Sequence, residues 1–426
     1  MSMRIAVIGS GIAGLASAWL LSREHAVTLY EANDYLGGHT HTHRVEWEGR
    51  RYTVDSGFIV HNPAHYPLLH AFFDELGITS KPTSMSFSVH NERTGLEYNA
   101  TTLDSLFCQR RNLCSPRFLG MVRDLFRFYR HAPSLLNEPG PGPTLGDYLV
   151  QQGYGAAFRD EHLIPMASAL WSSPAHLILQ FPARYLVQFM VNHQMLQVSG
   201  RPQWRVVQGG SFRYVEALRE RWQVDERLSS PVRSVRRREH GVVVESNRGE
   251  EVFDHVVMAC HSDQSLRLLA DPSDSEREIL GAMRYQTNDT ALHTDARVLP
   301  QQRKAWAAWN ARIPAEPGAT CAVSYCMNLL QGFSSPEPFI VSLNQSQAID
   351  PRKVIRRMVY HHPVYSAESV AAQTRKAEIQ GHRCTWYAGA YWGWGFHEDG
   401  MRSAVAVAQA LRASTRFSGA AGMARV

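Results

Sequence analysis

The chain has 426 residues, of which 44% are hydrophobic and 19% are charged, and its formal net charge is +5. This composition is typical of a globular protein and excludes a disordered or fibrous one, and the length predicts two or three compact units. The mildly basic charge is compatible with an anionic cofactor or a lipid surface but is too weak to indicate nucleic-acid binding. Six cysteines without a Cys-x-x-Cys pair, and the lack of a long apolar run in the sequence, predict a reduced, cytoplasmic location.

The N-terminal residues predict one right-handed β-α-β unit. Arg4–Ile8 is a short apolar strand, Leu15–Ser22 continues as a helix, and Val27–Glu31 is a second strand. The loop Gly9–Gly14 joins the first strand to the helix. Strand, glycine loop, helix and strand in this order are typical of a dinucleotide-binding unit.

The loop has the spacing G-x-G-x-x-G. Gly9 permits the tight turn, Gly11 lets a diphosphate approach the backbone, and Gly14 lets helix and strand pack closely. At Ile12 and Ala13 the start of the helix presents free N–H groups and a partial positive charge to phosphates.

Glu31 ends the second strand, where a carboxylate can accept hydrogen bonds from a ribose hydroxyl. The alternative interpretation is a glycine-rich turn in an unrelated α/β protein, and the combination of strand, helix and acid makes it the weaker one. The sequence contains one such fingerprint, so no separate NAD(P)H domain is predicted.

The central part of the chain has a different character. Residues 103–136 predict a basic, aromatic amphipathic helix, and Tyr185–Leu196 predict a second apolar helix. The apolar face of the first helix consists of Phe118, Val122, Leu125, Phe126 and Tyr129. The helix also carries many arginines, so it could have a solvated basic face or lie on an anionic membrane. These arginines are Arg110, Arg111, Arg117, Arg123, Arg127 and Arg130.

Strands return in the second half of the sequence. Pro231–Val235 and Gly241–Glu245 predict a hairpin, and His255–Cys260 predicts a buried parallel strand that returns to the first sheet. Near the C-terminus, the glycine-rich and aromatic turn Gly389–Gly395 leads into a helix predicted over Met401–Leu411, and the residues after 414 predict a frayed tail.

Several of these segments resemble the flavin amine oxidase superfamily, which includes monoamine oxidases, phytoene desaturases and protoporphyrinogen oxidases. Glu31–His39 resembles the stretch that begins with the ribose-binding acid, although His39 replaces the usual arginine of Gly-Gly-Arg. Asp55–Phe58 resembles the next FAD-contacting loop. Ala388–Gly389 and Asp399–Met401 resemble the C-terminal flavin motif.

Two further segments extend the likeness. Gln208–Ser211 and Pro231–Val232 fall where the superfamily has a glycine turn and an adenine-contacting strand. The run Gly395–Gly400 most resembles a bacterial group of predicted NAD/FAD-binding, amine oxidase-like proteins. Where amine oxidases carry an acid that contacts the ribityl chain, this chain has Tyr391, which weakens the case for amine oxidation.

Together, the element order and the resemblance predict an α/β protein in which a Rossmann-type FAD-binding domain is interleaved with a partly helical α+β substrate domain. The predicted FAD-binding domain comprises residues 1–80, 204–285 and 375–415. The predicted substrate domain comprises residues 81–203 and 286–374, and residues 416–426 are the tail.

The cofactor implied by the resemblance is FAD. It is expected to be non-covalent, because no cysteine occupies the position before Trp386 where covalent members attach the flavin, and Cys384 is too close to the motif. The predicted cofactor-binding residues are Gly9, Gly11, Ile12, Ala13, Gly14, Glu31, Ala32, Gly37, Gly38, His39, Gly57, Phe58, Ile59, Val232, Gly389, Asp399, Gly400 and Met401. The candidates for the substrate pocket are Tyr387, Tyr391, Trp392 and His397, within an aromatic run that also includes Trp386 and Trp394.

No metal site is predicted. His39, His41 and His43 alternate along the chain, but no carboxylate or cysteine partner is near them in the sequence, so they are interpreted as polar residues that line the approach to the flavin. His361 and His362 are interpreted as a loop before Pro363 that is able to face the pocket.

The predicted reaction moves a hydride from a substrate C–H to flavin N5, after which oxygen or a quinone takes the electrons. The sequence assigns no catalytic base. The leading hypothesis is a dehydrogenase or desaturase of a lipid-like substrate, an acyl chain or isoprenoid. The alternatives are an amine oxidase that forms an imine and hydrogen peroxide, and a flavin-dependent isomerase that resembles UDP-galactopyranose mutase.

The partners expected are a small-molecule or lipid substrate, with peripheral contact at the inner membrane face left open, and no nucleic acid. The sequence leaves the oligomeric state open.

Overall fold

The computed structural model describes residues 2–138, 140, 142–316 and 321–423, with only the backbone course for 414–423. Its strands are β1 (Arg4–Ile8), β2 (Ala26–Tyr30), β3 (Thr42–Trp47), β4 (Arg50–Asp55), β5 (Val60–His61), β6 (Ser80–Pro82), β7 (Phe87–Asn91), β8 (Leu96–Asn99), β9 (Arg205–Val207), β10 (Val224–Arg227), β11 (Val232–Arg237), β12 (Val242–Ser246), β13 (Gly249–Phe253), β14 (His255–Met258), β15 (Arg284–His293), β16 (Trp309–Ile313), β17 (Ala322–Cys326), β18 (Ile340–Leu343), β19 (Val354–Val364) and β20 (Thr385–Tyr387).

The α-helices are α1 (Ile12–Ser22), α2 (Pro67–Leu76), α3 (Leu103–Leu106), α4 (Pro116–His131), α5 (Leu145–Gln151), α6 (Ala156–Phe158), α7 (Ile164–Trp171), α8 (Ala175–Gln180), α9 (Ala183–Asn192), α10 (Arg213–Arg219), α11 (Ser262–Leu268), α12 (Asp274–Gly281), α13 (Met327–Leu330), α14 (Ala367–Thr374) and α15 (His397–Met423). Short 3₁₀ turns connect several of them, and Arg159–Leu163 forms one π-helical turn ahead of α7.

The N-terminal unit belongs to a five-stranded parallel sheet in the order β10-β2-β1-β14-β20. Ile5, Ala6 and Val7 of β1 are fully buried, because the central strand of a parallel sheet is covered on both faces. The chain leaves β1 toward β2 on one side and returns through β14 on the other. Ligands of such sheets bind beyond the carboxyl ends of the strands at this switch point.

The five strands come from three separate stretches of the chain, residues 4–30, 224–258 and 385–387. A second, seven-stranded mixed sheet has the order β19-β15-β18-β17-β16-β7-β8 and is built from the intervening stretches, with α3 to α9 packed beside it. The predicted fold class, an α/β protein with a Rossmann-type unit and an interleaved α+β unit, is confirmed.

The hairpin is observed as β11 and β12, and the returning parallel strand as β14. The helix predicted over residues 103–136 is wrong, because the chain breaks twice there. A capping box at Thr102 begins the short α3, and a new helix, α4, begins after Ser115, whose hydroxyl accepts a hydrogen bond from Phe118 N. Pro116 fixes this restart, since proline favours the first turn of a helix and cannot continue one from before.

Three other boundaries differ from the prediction. The second apolar helix ends at Asn192 as α9 rather than at Leu196. His361 and His362 belong to the long strand β19 and not to a loop, because they pair with β15. The C-terminal helix α15 begins at His397 and continues to Met423. Residues 415–423, predicted as a frayed tail, are therefore helical, and residues 424–426 lie outside the described residues.

A buried carboxylate connects the β3–β4 hairpin to the segments before α10 and after α13. Asp55, at the end of β4, is fully buried and accepts hydrogen bonds from the Thr42 hydroxyl at 2.5 Å, the Ser211 amide at 3.0 Å and Gln331 Nε2 at 2.9 Å. Burial raises the pKa of Asp55 to about 6 despite these donors. Gln331 follows α13 beside the seven-stranded sheet, so this one side chain fixes the position of the β3–β4 hairpin against both units.

Candidate active site

The site begins at the glycine loop between β1 and α1. A Cβ added to Gly14 would lie 1.8 Å from the Gly9 carbonyl oxygen, so only glycine allows this contact between helix and loop. Gly9 itself has φ +100° and lies against the backbone of Ala259 and Cys260. A Cβ on Gly11 would meet nothing within 4 Å. The space above Gly11 is therefore open to a ligand.

The first turn of α1 points its free N–H groups toward this space. Ile12 and Ala13 line a cavity with a volume of about 1300 Å³, and α1 has no acidic residue in its first turn. An uncompensated helix N-terminus carries a partial positive charge and is a site for phosphate.

Glu31 lies at the edge of the same cavity, directly after β2. Its carboxylate accepts hydrogen bonds from Ser10 N at 3.0 Å, Ser10 Oγ at 2.5 Å and Asn33 N at 2.9 Å. These donors hold the acid in place next to the glycine loop. Ala32 and Val232 line the cavity beside it, where an adenosine would lie.

The segment after Glu31 folds back over the glycine loop. Gly37 (φ +124°) donates its N–H to the Ser10 carbonyl at 3.0 Å, and a Cβ on Gly38 (φ +58°) would lie 3.0 Å from the Gly11 Cα. His39 follows immediately and lines the cavity. Its Nε2 is buried and has no hydrogen-bond partner.

Phe58 anchors this segment from the other side. Its N–H donates to the His39 carbonyl at 2.7 Å, and a Cβ on Gly57 would lie 2.1 Å from that same oxygen. The Phe58 ring stacks on His397 with centroids 3.6 Å apart, and His397 Nε2 lies 3.0 Å from Thr40 Oγ1. Burial holds the pKa of His397 well below its ordinary value, so the ring is neutral. Gly57, Phe58, Ile59 and His397 all line the cavity.

The C-terminal motif closes the cavity at the ends of β20 and α15. Gly389 lines the wall next to Tyr391, and a Cβ on this glycine would lie 2.1 Å from the tyrosine ring. Tyr391 is buried, and its hydroxyl has no hydrogen-bond partner. Trp394 also lines the wall. The predicted aromatic run therefore contributes Tyr391 and Trp394 to the cavity.

Tyr387 and Trp392 do not line the cavity, contrary to the prediction. The Tyr387 hydroxyl donates to Glu276 at 2.5 Å, and that carboxylate is paired with Arg237, whose side chain is fully buried. Trp392 donates from Nε1 to the Tyr387 carbonyl at 3.1 Å. Tyr387 therefore packs in a core cluster, Trp392 packs against that cluster, and Trp386 lies in another one.

Five predicted cofactor residues support the wall from behind: Gly14, Gly37, Asp399, Gly400 and Met401. The Asp399 carboxylate accepts hydrogen bonds from the backbone N–H groups of Trp394 and Phe396, both at 3.0 Å, and so shapes the turn before α15. A Cβ on Gly400 would lie 2.6 Å from Ile12 Cγ2, which fixes how closely α15 packs on α1.

Sequence reasoning missed three side chains contributed by other elements. His261 follows β14, Tyr360 lies on β19, and Arg267 lies on α11; all of them line the cavity. The position of His261 at the carboxyl end of a parallel strand was the available signal. His361 and His362 line the cavity as the sequence allowed, but from β19 and not from a loop.

Among the described residues, no group of three or more His, Cys, Asp or Glu side chains is arranged to hold a metal ion. His41 and His43 lie outside the cavity wall. His43 Nε2 is 2.8 Å from the Ser56 hydroxyl, and the His41 ring stacks on Tyr35.

These residues fit FAD. The glycine loop and the α1 N-terminus can hold a diphosphate, Glu31 can hold the ribose, and the unpartnered polar atoms of His39 and Tyr391 lie within the wall of the same cavity. A sequence model described as "Flavin containing amine oxidoreductase" matches residues 12–299 of the chain. The chain belongs to this family. It is an FAD-dependent oxidoreductase.

Solved structures share the fold at low sequence identity. A fatty acid isomerase from P. acnes that produces CLA is 18% identical, with 94% of this chain and 97% of that one covered and a TM-score of 0.64. A putative protoporphyrinogen oxidase from Exiguobacterium is 16% identical, with 97% and 99% covered and a TM-score of 0.67. A putrescine oxidase variant is 15% identical, with 97% and 100% covered and a TM-score of 0.70.

Two glycine substitutions separate the two functions of the loop. Gly11→Ala adds a methyl group to open space, so the apoprotein should lose less than about 1 kcal/mol of stability while the Kd for FAD rises at least about tenfold. Gly14→Ala forces helix and loop apart and should cost roughly 1–3 kcal/mol of stability. Urea unfolding and FAD titration of the apoprotein measure both quantities.

Gly120→Ala, within α4 where an added Cβ would also meet nothing within 4 Å, is the control: it should leave the Kd for FAD unchanged and raise stability by about 0.5–1 kcal/mol, because alanine is the better helix former. A Gly11→Ala protein that binds FAD like the wild type would show that the diphosphate does not approach this loop.

Proposed function

We propose that this oxidoreductase dehydrogenates the apolar chain of a lipid-like substrate, with an acyl chain of a membrane lipid as the substrate class. The cavity supports this proposal first by its size. A volume of about 1300 Å³ exceeds the roughly 300–1,000 Å³ of ordinary small-molecule sites, so a second ligand fits beside the cofactor.

Aliphatic side chains line one stretch of the cavity away from the glycine loop. Helix α4 contributes Met121, Val122 and Leu125, and α7 contributes Met166 and Leu170. These unbranched and branched aliphatic side chains form a surface suited to hydrocarbon. The apolar face predicted for α4 thus lines the cavity along most of its length, although Phe118 is buried in the core against Tyr98.

The charge of the wall is the observation that carries the proposal. Of the described residues that line the cavity, Glu31 is the one carboxylate, and it lies at the ribose position. Arg201 and Arg267 line the same cavity. An alkylammonium substrate would lack a counter-charge in the outer part, whereas a chain with an anionic head group would find Arg201.

Exposed apolar residues surround the entrance. Leu103, Phe126 and Val198 line the cavity and are also exposed, at 76%, 53% and 69%. On α4, Phe126 lies between the exposed residues Arg123 and Arg130 on one helical stripe. Apolar side chains among arginines are typical of a surface that inserts into an anionic lipid interface.

Arg123 also lies 3.6 Å from the Asp124 carboxylate, and other arginines of this region are engaged within the protein. Arg117 is paired with Glu161, and the guanidinium of Arg127 lies 4.0 Å from the centre of the Tyr154 ring. Among the described residues, no helix combines the length and apolar character needed to cross a bilayer. We therefore propose contact with one leaflet through the entrance, which would let an acyl chain pass from the lipid layer into the cavity.

In the proposed reaction a C=C bond forms as one C–H of the chain gives up a hydride and the neighbouring C–H gives up a proton. The bound FAD would supply the hydride acceptor, and oxygen or a quinone would finally take up the two electrons and the two protons. The protein's part is to hold the chain against the flavin site and to exclude water, which the apolar wall does. No side chain is assigned as a base.

The experiment is anaerobic mixing of the FAD-loaded protein with phospholipids and free fatty acids in one series and with mono- and diamines in another. Flavin bleaching by acyl substrates, with a product lighter by two hydrogens in mass spectrometry, supports the proposal. Bleaching by amines alone, with hydrogen peroxide formed in air, would mean amine oxidation. A product of unchanged mass formed only with prereduced flavin would mean isomerisation, the activity for which the P. acnes fatty acid isomerase is named.

A bulky residue in the outer wall should block the acyl substrate and spare the cofactor. Val122→Trp fills the space between α4 and the flavin site, so the rate of flavin bleaching by acyl substrate should fall at least about tenfold at unchanged FAD affinity. Val150→Trp, at an exposed valine on α5, is the matched control and should change neither. Equal rates in the two variants would place the substrate elsewhere.

The entrance should bind anionic vesicles. Sedimentation with phosphatidylglycerol vesicles should exceed sedimentation with phosphatidylcholine vesicles and weaken as salt rises, because screening acts over about 10 Å at 0.1 M. Phe126→Asp places a charge at the exposed rim and should abolish binding, while Val150→Asp should not. Binding that Phe126→Asp leaves intact would contradict this surface without affecting the acyl assignment.

The flavin should be non-covalent. Cys384 lies on the turn before β20 and does not line the cavity. Cys260 does line it, but burial raises the pKa of its thiol to about 11, so it is a poor nucleophile at neutral pH. Acid precipitation should leave intact FAD in the supernatant, and flavin retained in the pellet would contradict this expectation.

A further inference from the structure

Four histidines, among them His39, lie close together in one part of the cavity wall. The rings of His39 and His362 have centroids 5.2 Å apart, those of His39 and His261 are 6.4 Å apart, and those of His261 and His361 are 6.0 Å apart. All four line the cavity, and we name them the histidine cluster. They come from three elements far apart in sequence: the loop after β2, the start of α11, and β19.

The cluster lies beside the diphosphate loop. His39 follows Gly38, which packs on Gly11, and His261 follows Cys260, whose backbone N lies 3.0 Å from the Cβ position of Gly9. Both ends of the cluster are thus fixed by residues that contact the glycine loop.

The hydrogen bonds of the cluster leave one nitrogen without a partner. His362 Nδ1 lies 2.8 Å from the side-chain nitrogen of Asn288, and His361 Nδ1 lies 3.2 Å from the Thr287 hydroxyl. His39 Nε2 is buried without a partner. An unpartnered buried polar atom in a cavity wall is unfavourable unless a ligand satisfies it.

Without a ligand, His39, His261 and His362 are neutral. Desolvation in the cavity wall and, to a smaller degree, the charges of neighbouring histidines lower the pKa of His39 to about 4 and that of His261 to about 3. Burial also holds the pKa of His362 well below its ordinary value. The ionisable groups around the cluster are Cys260, Asp263, Arg267, Tyr285, Tyr360 and His397. Arg267 is paired with Asp263 at 2.8 Å, so its charge is partly compensated.

We propose that the histidine cluster provides the positive charge that faces the FAD diphosphate, and that it acquires this charge by taking up a proton from solvent as the cofactor binds. A diphosphate esterified at both ends keeps two negative charges throughout the neutral range. Placed beside neutral imidazoles, these charges favour the imidazolium form. The arginine usual in the family would carry its charge permanently, so proton-coupled cofactor binding is a property of this chain's own residues.

The sign of the linkage follows from the two states. In the apoprotein His39 and His261 are neutral above about pH 4, and the bound cluster stays protonated to a higher pH. FAD affinity should therefore fall as pH rises between these limits and level off above the pKa of the bound state. An uptake of about half to one proton corresponds to a roughly three- to tenfold loss of affinity per pH unit.

The test is isothermal titration of the apoprotein with FAD at about pH 6 in buffers of different ionisation enthalpy, which counts the protons taken up. ADP-ribose, whose diphosphate is also esterified at both ends, should show the same uptake, and adenosine should show none. This comparison needs no variant and does not depend on activity. Binding of FAD without proton uptake, or equal uptake with adenosine, would overturn the proposal.

Variants assign the proton to the cluster. His39→Arg should keep FAD binding and abolish both the proton uptake and the pH dependence, because the charge becomes permanent. His39→Gln should lose the uptake and bind FAD more weakly. His41→Gln, two residues away and outside the cavity wall, is the control and should retain the wild-type uptake. Uptake that persists in both His39 variants would overturn the proposal.

Discussion

The architecture depends on one close contact, in which the carbonyl oxygen of Gly9 occupies the space where a side chain on Gly14 would begin. This contact brings α1 down onto the end of β1 and aims the helix N-terminus at the cavity. Gly400 repeats the condition one layer further out, because α15 packs on Ile12 at a distance that excludes a Cβ. β1, α1 and α15 can therefore pack this closely because Gly14 and Gly400 have no side chains. The cavity lies at the end of these packed elements.

The sequence predicted the parts of the site that depend on local rules. The spacing of Gly9, Gly11 and Gly14, the acid that ends β2 and the hairpin of β11 and β12 each follow from turn chemistry or residue alternation, and each was predictable within a few residues. The C-terminal motif was predictable through resemblance. The charge of the cavity wall was not predictable from any single segment, because it depends on which residues of distant segments meet.

The wrong predictions have physical causes that act over distance. Tyr387 was assigned to the pocket because it is aromatic and near the motif, but a buried Arg237–Glu276 pair attracts its hydroxyl. The long basic helix was predicted from an amphipathic pattern that continues across Ser115 and Pro116, where capping and proline geometry override it. Leu106, before the break, and Val122, after it, nevertheless both line the cavity.

The scarcity of carboxylates in the cavity wall has a consequence for selectivity. A site can refuse a cation without any obstructing group, because a charge that leaves water and meets no opposite charge bears the full cost of its lost hydration. Discrimination of this kind results from the absence of carboxylates and requires no dedicated residue. It is also easily undone: one acidic side chain introduced into the aliphatic part of the wall would provide the missing compensation. In such a cavity, a single substitution could reverse the charge of the ligand that binds.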